Sequence, residues 1–209
     1  VEPIAPYGAI ADLPSRVTVK GTLHGHWGPI ANHYGDPVIG AAITAGDKTA
    51  VIEEMGIDQF PELHQHEGEV VIVNAAPGQW RGMIRLYLDQ ESEVIPLSAA
   101  EDMDITRIGL IPTRANICGT IISRGQNSGT NAKGKGWSMA TAHVWDGTGL
   151  TEVVAFGMGR SETFDKLQVG DQIKLMAAEI GWREGTPQLR IDPRNTRLIV
   201  EAPNSKGSE

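Results

Sequence analysis

Residues 137–149, Trp137-Ser138-Met139-Ala140-Thr141-Ala142-His143-Val144-Trp145-Asp146-Gly147-Thr148-Gly149, run into Leu150-Thr151-Glu152-Val153-Val154-Ala155-Phe156-Gly157. Asp-Gly between two apolar runs reads as a β-hairpin, because Gly accepts the positive φ that a tight turn demands. This stretch is the centre of a longer pattern. Ile117-Cys118-Gly119-Thr120-Ile121 precedes it, and Leu167-Gln168-Val169-Gly170-Asp171-Gln172-Ile173-Lys174-Leu175 and Gly181-Trp182-Arg183 follow. The pattern occurs once before, as Val19-Lys20-Gly21-Thr22-Leu23, Gly40-Ala41-Ala42-Ile43-Thr44-Ala45-Gly46-Asp47-Lys48, Glu67-Gly68-Glu69-Val70-Val71-Ile72-Val73 and Gln79-Trp80-Arg81. On sequence, Gly21 aligns with Gly119, Asp47 with Asp146, Gly68 with Gly170 and Trp80 with Trp182, a spacing of roughly one hundred residues, so one unit is used in tandem.

Each unit reads as all-β. In the second, a strand over 116–123 precedes the hairpin 137–144/151–157. Ser161 N-caps a helical turn over 161–167, and strands over 172–180 and 189–200 complete the set. Five strands with a short helix between the third and fourth is the order of an OB-fold, a Greek-key barrel that binds ligands on strands two and three and on the loops joining strands one to two and four to five. The expected architecture is two tandem five-stranded OB barrels. Residues 1–15 read as an extended tail, 16–98 as the first barrel, 99–106 as a short linker, 107–201 as the second barrel and 202–209 as a disordered tail. The segment 124–136, rich in Gly, reads as a long flexible loop between strands one and two.

The second unit resembles the single-stranded-DNA-binding OB domains of replication protein A and its archaeal relatives. The resemblance lies in Gly136-Trp137-Ser138-Met139-Ala140 leading to Trp145-Asp146-Gly147-Thr148-Gly149, in Val153-Val154-Ala155-Phe156-Gly157, in Leu167-Gln168-Val169-Gly170-Asp171 and in Gln188-Leu189-Arg190-Ile191-Asp192. It covers about Arg107 to Glu201. The first unit shares it mainly through the repeat and has Val51-Ile52-Glu53-Glu54 where Phe-Gly stands in the second. The resemblance implies largely sequence-independent binding of single-stranded DNA in replication, repair or recombination.

Charge divides the chain. Residues 1–103 hold 5 basic and 15 acidic side chains, a net of −10, whereas residues 104–209 hold 13 and 11, a net of +2. The acidic first unit therefore reads as a protein-contacting or weakly binding module, and the second as the one able to gather cations against phosphates. No run approaches the ~20 apolar residues of a membrane span. The lone Cys118 cannot form an internal disulfide and reads as a buried small hydrophobe in a reducing, intracellular compartment. The start at Val1 without Met reads as a processed or excised fragment.

Eleven residues are aromatic, of which 5 are Trp. Bases stack on such rings at ~1–3 kcal/mol each, without regard to sequence. Trp137, Phe156 and Trp182 fall where an OB-fold meets a strand, with Trp145, Trp80 and Trp27 as further stacking candidates. Lys133 and Lys135 in the loop, Arg183 and Arg190 beside the strand-four-to-five turn, and Arg124 and Arg160 are the candidate phosphate contacts. The pairs His24-Gly25-His26 and His64-Gln65-His66 have strand spacing for a metal, but the repeat accounts for the second of them, and both read as surface histidines. No metal, cofactor or catalytic constellation is expected. The leading reading is a single-stranded-DNA binder; the alternatives are an OB-fold interaction module of a larger nucleic-acid-processing complex, or a single-stranded RNA binder.

Overall fold

In the computed structural model, residues 7–32, 35–55, 59–99, 102–157, 160–183 and 186–201 are described. The first unit comprises β1 (Val17–Ala31), β2 (Pro37–Ala45), β3 (Lys48–Met55), α1 (Glu62–Gln65), β4 (Gly68–Trp80), β5 (Met83–Leu88) and β6 (Glu93–Pro96). The second comprises β7 (Arg114–Thr130), β8 (Gly136–Trp145), β9 (Leu150–Phe156), α2 (Glu162–Asp165), β10 (Gln172–Arg183), β11 (Thr186–Arg190) and β12 (Arg197–Glu201). Strands pair in the order β1-β2-β3-β5-β4, and β4 returns to β1, closing a five-stranded barrel in which β3 and β5 are parallel. The second unit closes in the same way as β7-β8-β9-β11-β10, with β9 and β11 parallel. Both are OB barrels, each with its short helix between the third and fourth strands.

Two details differ from the sequence reading. A sixth strand is added to each barrel, β6 on β4 and β12 on β10. The stretch 189–200 breaks in the middle because Asp192 accepts hydrogen bonds from the Arg194 amide (3.0 Å) and the Asn195 side chain (2.6 Å), which turn the chain. The segment 124–136 is not a long loop. β7 and β8 stay paired out to Thr130 and Gly136, leaving a turn over 131–135, so this region is a β-arm. Asn131 closes the turn by accepting from the Lys133 and Lys135 amides.

Period-two patterning builds the cores. Ala140, Ala142 and Val144 of β8 and Val153 and Ala155 of β9 face inward, against Ile117, Ile121, Ile173, Leu175 and Leu189. Phe164 of α2, 1 % exposed, plugs the barrel, and the Ser161 hydroxyl caps that turn by accepting from the Phe164 amide. Cys118 is half-buried rather than part of the core.

The barrels exchange their entry segments. Ala9-Ile10-Ala11-Asp12-Leu13-Pro14-Ser15-Arg16 precedes β1, and Arg107-Ile108-Gly109-Leu110-Ile111-Pro112-Thr113-Arg114 leads into β7. Each contains a 3-10 turn with a buried isoleucine. Ile10 is packed in the core of the second barrel, whereas Ile108 and Ile111 are packed in the core of the first. The backbone contacts are reciprocal: the Gly8 amide donates to the Asn116 carbonyl (2.9 Å), and the Thr106 amide donates to the Thr18 carbonyl (2.7 Å). Residues 7–13 are therefore not an extended tail, because Ile10 finds apolar burial in the neighbouring barrel.

The register also revises the repeat. Gly21 pairs with Val70 and Gly119 with Ile173, so Val70 corresponds to Ile173 and Gly68 to Asp171 rather than to Gly170. Trp80 pairs with Met83 and Arg183 pairs with Thr186, the last register pair of each hairpin. Trp80 thus corresponds to Arg183, Gln79 to Trp182 and Gly78 to Gly181. Gly78 and Gly181 meet where β4 packs on β10, a Cβ placed on Gly78 being 3.9 Å from the Gly181 Cα. Corresponding residues in contact, together with reciprocal exchange, are the mark of an isologous, two-fold-like interface.

Candidate nucleic-acid interface

The outer face of the second barrel is a grid fixed by strand register. Trp145 lies opposite Leu150, His143 opposite Glu152, Thr141 opposite Val154 and Met139 opposite Phe156. β11 extends two of these rows, placing Gln188 beside Glu152 and Arg190 beside Val154. Alternation therefore sends Phe156 outward while Val153 and Ala155 fill the core.

Above the far rows lies a cleft of about 290 Å³ lined by Asn127, Trp137, Met139, Phe156, Trp182, Arg183, Gln188 and Arg190. Its two walls are the β7–β8 arm and the β10–β11 hairpin. Two glycines shape these walls. Trp137 faces Gly129 across the arm, and a Cβ on Gly129 would stand 2.8 Å from the Trp137 ring, so the indole lies flat on bare backbone. On the other wall a Cβ on Gly181 would stand 2.7 Å from Arg190 Nε, so the guanidinium rests in the socket that glycine leaves.

The cleft holds cations and one anion. The Glu152 carboxylate accepts from the Gln188 amide (2.6 Å) and the Arg183 guanidinium (3.5 Å), with His143 Nε2 at 3.6 Å. The Thr141–Val154 row separates this polar row from the apolar floor made by Met139 and Phe156. Phe156 is 37 % exposed, a ring held ready at the surface. The Arg16 guanidinium, contributed by the first barrel, lies 5.4 Å from the centre of the Trp182 ring.

Five of the sequence candidates, Trp137, Phe156, Trp182, Arg183 and Arg190, meet in this cleft. The others are elsewhere. Lys133 and Lys135 stand exposed at the tip of the arm. Trp145 is exposed at the opposite end of the sheet, beside Leu150. Arg124 is committed to structure: it donates to the carbonyls of Thr141 (3.2 Å), Phe164 (2.9 Å) and Leu167 (2.6 Å) and covers the Phe164 ring. Burial lowers its pKa, a shift that the nearby Asp165 and Asp171 carboxylates oppose. Arg160 pairs with Asp165 at 3.1 Å. The side chain of Trp80 lies outside the described residues. Asn127, Met139 and Gln188 were missed by the sequence reading. Their outward parity with Trp137 and Arg190 was a usable signal only once the arm is recognised as paired strand rather than loop.

In the first barrel the same grid carries different chemistry. Trp27 lies opposite Gly40 and covers it, the same device as Trp137 on Gly129 with the strands exchanged. Ile52 pairs with Leu86 as Val153 pairs with Leu189, so Tyr87 takes the place of Arg190 and Arg85 that of Gln188. Arg85 is spent on Glu53 at 2.8 Å. Burial raises the Glu53 pKa, and Arg85 opposes the shift. His26 binds the Leu63 carbonyl and His24 the Thr44 hydroxyl. Among the described residues, no group of three His, Cys, Asp or Glu is placed to hold a metal.

Neither a family model nor a curated protein sequence matches the chain. Among solved structures, it is similar to a replication protein A heterotrimer bound to single-stranded DNA, at 14% identity and a TM-score of 0.36 over 97% of this chain and 52% of that one. It thus spans about half the length of that match. It is also similar to a replication factor A related protein from Methanobacterium thermoautotrophicum, at 21% identity and a TM-score of 0.35 over 42% of this chain and 80% of that one. A murine DNA-binding protein bound with double-stranded DNA matches at 15% identity and a TM-score of 0.34, over 91% of this chain and 100% of that one. The OB assignment itself rests on the strand order and closure described above.

Proposed function

We propose that the chain binds single-stranded nucleic acid, DNA in the first instance, through the cleft of the second barrel, without strong sequence preference. The observation that carries this reading is the convergence of Trp137, Phe156 and Trp182 with Arg183 and Arg190 on one face of the barrel. Bases stack on the three rings while the two guanidiniums and the arm lysines meet phosphates. The protein acts as an intracellular binder rather than a catalyst, in the replication or repair setting that the resemblance to replication protein A implies.

Titrating oligo-dT into the protein and following tryptophan emission tests the reading. Stacking quenches the emission. With two to four phosphates neutralised, the log–log salt dependence falls at about −0.7 per phosphate, roughly −1.4 to −2.8 in all. No binding at low salt would sink it. A second reading, protein contact through the first barrel, is favoured by one observation: on that face Arg85 is neutralised by Glu53. Oligo-dT binding by the second barrel with none by the first fits both roles together.

A further inference from the structure

Arg16 belongs to the first barrel, yet its guanidinium covers the ring of Trp182 in the second. It is held rigidly there. Nη1 donates to the Asn74 carbonyl (2.8 Å) and to Asp89 (3.0 Å), Nη2 donates to Asp89 (2.8 Å), and Nε faces Glu91 at 3.3 Å. Its side chain is 15% exposed. With its edge donors turned toward oxygens of its own barrel, Arg16 offers Trp182 its flat face. The pseudo-equivalent contact is different. Arg114 is held within its own barrel in the same way as Arg16, by the Ala177 carbonyl and Asp192, with Glu179 as a further acceptor, so the arginine is not what differs. The residue corresponding to Trp182 is Gln79, whose side chain accepts from the Gly82 amide. Of two sites that the two-fold makes equivalent, only one is built as an arginine over a tryptophan, and it is the one that lines the cleft.

We propose that Arg16 is a positioning residue for Trp182, so that the first barrel completes the nucleic-acid cleft of the second. The inference rests on the reading of that cleft as a nucleic-acid interface. A cation over one face of the indole fixes its tilt and leaves the other face to a base. Ordering the ring before the ligand arrives removes that cost from binding. By linkage, a bound strand in turn tightens the contact between barrels.

The test is a double-mutant cycle on the full chain, reading oligo-dT affinity for wild type, Arg16→Met, Trp182→Ala and the double variant, with thermal melts to establish folding. Arg16→Met is expected to weaken binding roughly three- to tenfold, less than or about the loss of one stacked base, because the ring remains and only its ordering is lost. In the Trp182→Ala background it should have no further effect. The salt slope of Arg16→Met should equal that of wild type, because Arg16 touches no phosphate. Asp89→Asn, which loosens Arg16 from a distance, should move affinity the same way and covers the case in which Arg16→Met fails to fold. Additive losses, a slope reduced by about 0.7, or unaltered affinity in a folded Arg16→Met protein would each overturn the proposal. If wild type binds no oligonucleotide, both the proposal and the reading beneath it fall; if wild type binds and the variant binds equally, only the proposal does.

Discussion

The two barrels share a backbone and differ in what they place on it. At one grid point beside a bare glycine, the second barrel sets Arg190 against Gly181 and the first sets Tyr87 against Gly78. One row away, the second has Gln188 beside Glu152, whereas the first has Arg85, which is tied to Glu53. On this face Glu53 neutralises the first barrel's Arg85 at 2.8 Å, whereas in the second Glu152 meets Arg183 only at 3.5 Å and Arg190 is added over the Gly181 socket. The fold therefore supplies the platform and a few side chains decide its use. The acidic composition of residues 1–103 and the neutralised face are one fact seen at two scales.

The largest expected effect breaks the independence of the two units. Ile10→Ala should destabilise the second barrel, and Ile108→Ala the first, each by about 2–5 kcal/mol as for buried large-to-small changes. Hydrogen exchange resolved by barrel checks this. Loss of protection in the barrel that carries the mutation in sequence, rather than in its neighbour, would refute the exchange of entry segments.

Next in size is the contrast between faces. Phe156→Ala should weaken oligo-dT binding by ~1–3 kcal/mol with little change in melting temperature, while Trp27→Ala should leave affinity alone and lower stability. Equal losses of affinity would mean that the first face also binds.

Acid sharpens the comparison. Asp146 in the second barrel is partly desolvated, which alone raises its pKa, but bonds from the Ile10, Thr148 and Gly149 amides and the Thr148 hydroxyl hold it at about 2. Asp192 is held at about 2 by Asn195, the Arg194 amide and Arg114. Both lie below the unfolded value, so their stabilisation is complete above about pH 4 and is lost as pH falls toward 2. In the first barrel Arg16 lowers Asp89 in the same sense, whereas burial raises Glu53, whose contribution improves on acidification. Exchange measured between pH 5 and 2.5 should show the second barrel opening first, and Asp146→Asn should flatten its pH dependence.

The smallest effect belongs to the arm. Replacing Lys133 and Lys135 by Ser should reduce the salt slope by about 0.7 for each phosphate lost and leave stability unchanged. An unaltered slope would make them solvated tip residues only.

The barrel order, the helical turns and most of the cleft were legible in the sequence, because alternation, Asp-Gly and the Ser161 cap are local signals. Parity puts Phe156 on the face opposite Val153 and Ala155 without deciding which face lines the barrel, and Arg190 stands out only by its place beside the strand-four-to-five turn. What lay hidden depends on partners distant in sequence. Ile10 and Ile108 are single apolar residues without periodicity, and nothing local tells which barrel buries them. Arg124 resembles any basic residue near a loop until the carbonyls of Phe164 and Leu167 are seen to surround it. The repeat alignment slipped by one position between Trp80 and Trp182 because matching tryptophans outweighed the hairpin register that places Trp80 with Arg183.

The exchanged entry segments also set an order of assembly. The strands of the first barrel leave the ribosome's exit tunnel before Ile108 and Ile111 do, so that barrel emerges with part of its core unfilled. Ile10 is synthesised before every strand of the first barrel, yet its burial site is not complete until β10 and β11 exist. Maturation of the first barrel thus waits on the segment that carries Ile108 and Ile111, and the segment around Ile10 waits for the strands of the second barrel. Contacts of such long sequence separation slow folding. A nascent chain stalled with residue 100 just clear of the tunnel should accordingly be far more open to protease than one stalled a few residues after Ile111 has cleared it.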